Sequence, residues 1–392
     1  MNEHTKFWSI DPGTTYLNHG SFGACPTEVM KAQRGYQSRM EAQLIQFIVR
    51  ELPELLEQVR AALGLLLGAE KDDLALVPNA TTGVNTVLRS LDFAPGDELL
   101  VLDHEYNACR NALEYVADRS GAKVVCVSIP FPLHSEAEVT TRVMEAVTPR
   151  TRLLLIDHVT SPTGLVMPIK SIVHELNSLG VDTLVDGAHA LGMLPLNLNA
   201  LGAAYYTANC HKWLCTPKGS AVLHIRRDKQ EHIHPLAISH GRNMPLNGQT
   251  RFRVEFDWTG TDDPTPFLCV PDAIAALSAM VGGVWPDSLY ERNRNLVIQG
   301  RALLCRRLGV EAPCPEGMLG ALAAIPLPDS SEEVCTAPGF HPLQMALLEK
   351  HHIEVPISAW PTPRSRLLRI SAQLYNHVEQ YDELASALMQ LL

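Results

Sequence analysis

The chain has 392 residues, 46% of them hydrophobic, enough for a full core and long for one domain. A formal net charge of -11 without basic runs excludes a nucleic-acid or anionic-membrane footprint, and no apolar stretch approaches the roughly 18 residues of a membrane span. Nine cysteines without a C-x-x-C pair exclude a disulfide framework and a structural zinc site, and they point to a reducing, cytoplasmic setting. The polar start, MNEHTKFWSIDPGTTYLNHG, lacks the apolar core of a signal peptide. His232-x-His234 and His351-His352 have no third ligand nearby, so no metal is expected.

After the N-terminal segment 1–20 the chain alternates. Apolar runs rich in Val, Leu and Ile recur at 74–77 (LALV), 98–103, 123–129, 152–159, 182–189 and 220–225. Stretches of helical periodicity such as NACRNALEYVADRSG and IKSIVHELNSLG separate most of them. Apolar runs without strict alternation suit a sheet buried on both faces, and intervening helices imply parallel crossovers. Residues 21–260 are therefore expected to form a large α/β domain on a mostly parallel, doubly wound sheet, with its ligand at the carboxyl ends of the strands. Beyond the proline-bearing junction at 260–275, long helical stretches lie among a few strands (GALAAIPL, HIEVPI, LLRIS), so 261–392 reads as a smaller α+β domain.

The strand ends carry the polar residues. PNATTGVNTVL (78–88) puts Ala80, Thr81 and Thr82 at a helix start directly after LALV, where free N–H groups and the helix dipole favour an anion; an ordinary threonine cap would also place one of them there. LDHEYNA sets Tyr106 after the next run, as a ring that either stacks on a flat ligand or edges the core. LVDGAHA ends in Asp186, which alone would also suit a helix cap. YTANCHKWLC sets Lys212 among apolar residues, where a lone lysine would snorkel to water. Together, a carboxylate and a flanked lysine on adjacent strand ends suit pyridoxal 5'-phosphate. Its aldehyde condenses with a lysine amine, and a carboxylate keeps its ring nitrogen protonated so that the ring draws electrons.

YLNHGSFG, PNATTGVN, DHEYNA, SPTGLVMPI, VDGAHALG, NCHKWLCTPKG, WTGTDD and LLRISAQLYNHVEQYDEL follow the order seen in class V aminotransferase-type enzymes. From about residue 15 to the C-terminus the chain resembles that family, and within it isopenicillin N epimerase and its relatives most. The resemblance implies a fold-type I architecture and pyridoxal phosphate. Lys212 would be the Schiff-base lysine, Asp186 the ring-nitrogen partner and Tyr106 the stacking residue. Thr81 and Thr82 match the phosphate loop. Asn209, in place of a more usual serine, and His211 match phosphate contacts. His189 would touch the cofactor's phenolic oxygen, with Ser161 near that side. Thr261 matches a threonine that reaches the phosphate of a partner subunit, implying a homodimer with a shared site. His19 would line the substrate entrance. Arg369, at a predicted strand end, would grip an amino acid's α-carboxylate through paired hydrogen bonds.

The reaction stays open among several that such a site supports. A cysteine desulfurase needs a nucleophilic cysteine before the carboxylate arginine, and no cysteine lies between Cys335 and the C-terminus. An epimerase-like isomerase is the first reading. Lys212 is its first base, with Tyr106 or His189 as the second acid. A C–S or β-lyase is second and an aminotransferase third. A non-enzymatic α/β binding module, with Lys212 and Asp186 purely structural, is the competing class.

Overall fold

A computed structural model describes residues 3–334, 337 and 339–392. The first strand, β1 (Thr15–Tyr16), is short. A seven-stranded sheet then forms from β2 (Leu74–Val77), β3 (Glu98–Leu102), β4 (Lys123–Val127), β5 (Thr151–Asp157), β6 (Asp182–Asp186), β7 (Tyr205–Asn209) and β8 (Ala221–Ile225). Their order is β2-β8-β7-β6-β5-β3-β4, and only β8 runs antiparallel to its neighbours.

The burial pattern explains the apolar runs. Leu100, Leu102, Leu154, Ile156, Val185 and Tyr206 pack into one core layer. The residues that alternate with them (Leu99, Val101, Leu153, Leu155, Leu184 and Tyr205) pack into a second layer on the other face. Both faces are covered by helices: Ala80–Ser90 and Asn107–Ser120 on the second layer, Leu52–Leu67 and Ile169–Ser178 on the first. The chain runs outward from β3 to the edge strand β4 and then returns to β5, on the other side of β3. That reversal opens a crevice at the carboxyl ends of β3 and β5, where ligands bind in doubly wound sheets.

The C-terminal part builds a three-stranded antiparallel sheet, β11-β12-β9, from β9 (Leu322–Leu327), β11 (Ile357–Ser358) and β12 (Arg366–Ser371). Helices Asp287–Leu308 and Glu379–Leu391 accompany it. HIEVPI, expected as one strand, is divided. β10 (Ile353–Glu354) pairs in parallel with β1, whereas β11 joins β12. Pro356, between the two, has no N–H to continue a ladder. Among the described residues no helix is long and apolar enough to cross a membrane.

Candidate active site

The polar strand ends expected from the sequence meet at one end of the sheet. β2 passes directly into helix Ala80–Ser90, whose N-cap is Asn79 and not a threonine. Asn79 Oδ1 accepts from the Thr82 N–H at 2.8 Å and from Thr82 Oγ1 at 3.0 Å. Asn209, at the end of β7, accepts from the Ala80 N–H at 2.8 Å. Neither takes the Thr81 N–H, so a first-turn donor remains beside the dipole for an anion. Gly83 keeps the helix close to β7, because a Cβ there would run into Thr207 Oγ1. Asn209 was expected to meet a phosphate directly; its oxygen instead closes a helix donor, which leaves the amide nitrogen for a ligand.

Beneath this cradle lie three buried carboxyls. Asp157 and Asp186 are register partners at the ends of β5 and β6, and Glu105 follows β3. Asp186 Oδ2 accepts from the Cys109 thiol at 3.0 Å and Oδ1 from the Ala188 N–H at 2.9 Å. Burial, then repulsion from Asp186, pushes Asp157 well above the usual carboxylate range. Glu105 is pushed up by burial and by both aspartates. Burial raises Asp186 as well, but the Cys109 and Ala188 donors and Lys212 oppose it. Asp186, the member with two donors, is thus the carboxyl whose anionic form is best supported. Glu105, Cys109 and Asp186 place ligand-type atoms within 4.8 Å of one another. Burial pushes the Cys109 thiol up as well, which suits its role as donor to Asp186.

Lys212 is partly buried among enclosed neighbours. Its Nζ lies 3.1 Å from His189 Nε2, and His189 Nδ1 accepts from the Trp213 indole N–H at 3.3 Å. Burial, then the Arg369 charge, lowers the lysine to about 8 against the pull of Asp186 and Asp157. That linkage sets Lys212 and Asp186 in one electrostatic site. His211 Nδ1 is engaged with the Ser220 carbonyl at 2.9 Å.

The lysine loop is clamped by the segment that opens the chain. Gly23 adopts φ +69° with its α-carbon against His211 and Lys212, where a Cβ would strike both carbonyls. Lys218 Nζ donates to the Gly23 carbonyl at 2.7 Å. His19 was expected at the substrate entrance, but it is completely buried. Its Nε2 lies 3.0 Å from the Lys212 carbonyl and its Nδ1 2.8 Å from the Tyr375 hydroxyl. Burial lowers it to about 3, so it is a neutral packing group behind the lysine and not a mouth residue.

Arg369 rises from β12 into the same site. Its Nη1 donates to the Ser161 carbonyl at 2.6 Å and its Nη2 to Ser21 Oγ at 3.0 Å. Its buried Nε–H has no partner among the described residues. Ser161, expected beside a phenolic oxygen, thus orients the arginine. Burial lowers Arg369 to about 10, and it stays cationic. Tyr106 is half-exposed at the N-cap of helix Asn107–Ser120, within electrostatic reach of Asp186 and Arg369. Thr261 lies exposed on the surface. Trp360, in the loop before Arg369, packs edge-on against His104, with ring centroids 4.7 Å apart. Cys335 lies outside the described residues.

Residues 15–253 match the family model for class V aminotransferases. The chain belongs to the class V aminotransferase family. Members of this family use pyridoxal phosphate. The class V chain is 33% identical to "Isopenicillin N epimerase" of Streptomyces clavuligerus over 97% of its own length and 95% of that protein. It is 32% identical to "Probable L-cysteine desulfhydrase, chloroplastic" of Arabidopsis thaliana, over 99% and 85% of the two chains. A solved complex of the cystine C-S lyase C-DES with cysteine persulfide superposes with a TM-score of 0.77 at 22% identity, covering 96% of this chain and 97% of that one. At that identity the likeness establishes the fold, that of fold-type I enzymes.

Sequence reasoning passed over Glu105, Cys109, Asp157, Ser21 and the Trp213 indole. Asp157 had a readable signal, since RLLLIDHV ends an apolar run in an acid as LVDGAHA does. The others had none, because their partners are distant in sequence.

Proposed function

We propose that this chain binds pyridoxal phosphate and acts at the α-carbon of an amino acid or amino-acid-derived substrate as an epimerase-like isomerase. One observation carries the reading. A partly buried amine of lowered basicity, Lys212, shares its site with a donor-supported carboxylate, Asp186, and a buried guanidinium with an open N–H, Arg369.

The residues fit the cofactor on their own terms. Lys212 would hold its aldehyde carbon, Asp186 its ring nitrogen and His189 its phenolic oxygen. Ala80, Thr81, Thr82, Asn209 and His211 would surround its phosphate, and Tyr106 would cover its ring. When bound, the cofactor supplies an electron sink that acidifies the Cα–H of a substrate amine. The protein does the rest. Arg369 fixes the substrate carboxylate through its free Nε–H, with Ser161 and Ser21 holding the other edge of the fork. Lys212, once free, takes the α-proton on one face. Inversion requires a proton returned to the other face, for which Tyr106 is the exposed candidate and His189 the buried one. We further propose a homodimer in which Thr261 completes the partner's phosphate site, with residues 21–260 holding the cofactor and 261–392 bringing Arg369.

A C–S or β-lyase is the second reading. The desulfhydrase relative is as similar as the epimerase, and elimination needs only Lys212 and a substrate leaving group. Incubating the protein with a panel of amino acids in deuterated water separates the two. Deuterium at Cα with inversion supports the epimerase reading. Release of pyruvate, ammonia or a sulfur species replaces it with the lyase, and accumulation of the cofactor's amine form replaces both with an aminotransferase.

A further inference from the structure

Trp213 follows the lysine directly and is fully buried. An indole N–H only donates, so His189 Nδ1, 3.3 Å away, must be a bare acceptor. His189 is itself 2% exposed, and burial with the charges of Lys212 and Arg369 holds it well below the ordinary histidine range, hence neutral. A neutral imidazole carries one proton. With Nδ1 bare, that proton sits on Nε2, the atom 3.1 Å from Lys212 Nζ. An ammonium group has donors only, so an ammonium there would face another donor. A neutral amine, with its lone pair, fits.

We propose that Trp213 is a positioning residue that fixes His189 as the Nε2–H tautomer, and that this tautomer shifts Lys212 toward the neutral amine that condensation with a carbonyl requires. The opposite tautomer would turn a lone pair toward Lys212 and favour the ammonium. The arrangement also assigns a direction to His189. Its inward nitrogen already carries a proton, so His189 enters any proton transfer as a donor. The charged and titratable groups acting on Lys212 are Arg369 from β12, Asp157 and Asp186 from β5 and β6, Cys109 from helix Asn107–Ser120, and His189 itself. Of these only His189 is bonded to the Trp213 indole, so the indole's influence can be isolated. The inference rests on Lys212 as the cofactor-holding residue and is independent of which reaction follows.

The test uses the full-length chain with 15N-labelled histidine, the His189 resonances being identified by their loss in His189→Gln. Long-range 15N–1H correlation is expected to show a pyridine-type Nδ1 and a pyrrole-type Nε2. In Trp213→Phe, with its fold checked by circular dichroism, the Nδ1–H tautomer is expected to appear. Condensation of the cofactor-free variant with added pyridoxal phosphate, trapped by borohydride, is expected to slow about tenfold at pH 7, as the amine's titration moves up by about one unit. A wild-type His189 protonated on Nδ1 overturns the proposal without any variant. So does a folded Trp213→Phe protein with unchanged tautomer and unchanged pH profile. Failure of the wild type to condense at Lys212 at all overturns the proposed function instead, while the tautomer measurement still decides this point.

Discussion

A lysine with an ordinary value of 10.5 is brought to about 8 by enclosure, with Arg369 adding to the effect. The neutral form is the nucleophile, so the sign is fixed. In the cofactor-free protein, condensation with pyridoxal phosphate should rise about tenfold per pH unit up to about 8 and level off above it. At pH 7 roughly one molecule in ten already has the free amine, against fewer than about one in a thousand for an exposed lysine. Stopped-flow absorbance across pH 6–10 checks this, and a profile still climbing at pH 9 would contradict it. Lys212→Ala should abolish the borohydride-fixed adduct and reduce turnover by roughly 10²–10⁴-fold or more, read by intact mass and by deuterium exchange at Cα. At Arg369 a lysine should not substitute. Losing the oriented guanidinium N–H removes about 2–3 kcal/mol of charged hydrogen bonding, so Arg369→Lys should raise KM for the amino acid roughly 10²-fold while the cofactor spectrum stays unchanged. These two residues were readable because each sets a cation in or just beyond an apolar strand, where packing alone does not need one. His19 misled, because the motif that contains it gives no sign that Tyr375 closes over it from the far end of the chain.

Among the secondary elements, the site depends on two close approaches that only glycine permits. Gly83 lets helix Ala80–Ser90 sit on Thr207, so Gly83→Ala must push its first turn off β7. The expected cost is about 1–3 kcal/mol, seen as a lower urea midpoint, together with weaker retention of cofactor phosphate on dialysis. The helix itself was legible in PNATTGVNTVL. What was not legible is that Asn209, far along the chain, would take a first-turn donor, because hydrogen bonds between a helix start and a distant strand leave no local pattern. The same limit hid the acidic cluster. Glu105 and Cys109 each look ordinary where they stand, and acquire meaning only when the fold brings them to Asp186. The division of HIEVPI follows from the missing N–H of Pro356, a local cue that the sequence did contain.

For the molecule as a whole, a mostly parallel, doubly wound sheet was expected from the alternation of apolar runs and helices, though not its strand order. The joining of the two ends of the chain was not. Phe22, Leu44, Ile45 and Val49 remain exposed on the N-terminal helices, and Thr261 is exposed too. A homodimer that covers such apolar surface is expected, and sedimentation should give twice the chain mass. Thr261→Ala should then weaken cofactor binding without dissociating the dimer. A sedimentation profile of monomer alone would remove Thr261 from the site.

The lysine's mount is finished by residues translated long after it. His19, which holds the Lys212 carbonyl, is itself held by Tyr375, and Gln373 lies 3.3 Å from the same ring. A ribosome-bound chain stalled before residue 370 has the lysine, the aspartate and the phosphate helix, yet neither Tyr375 nor Gln373 behind them. Nascent chains should therefore begin to retain the coenzyme only when synthesis is nearly complete, and arrested-translation complexes of graded length, trapped with borohydride, would show that late onset as a step.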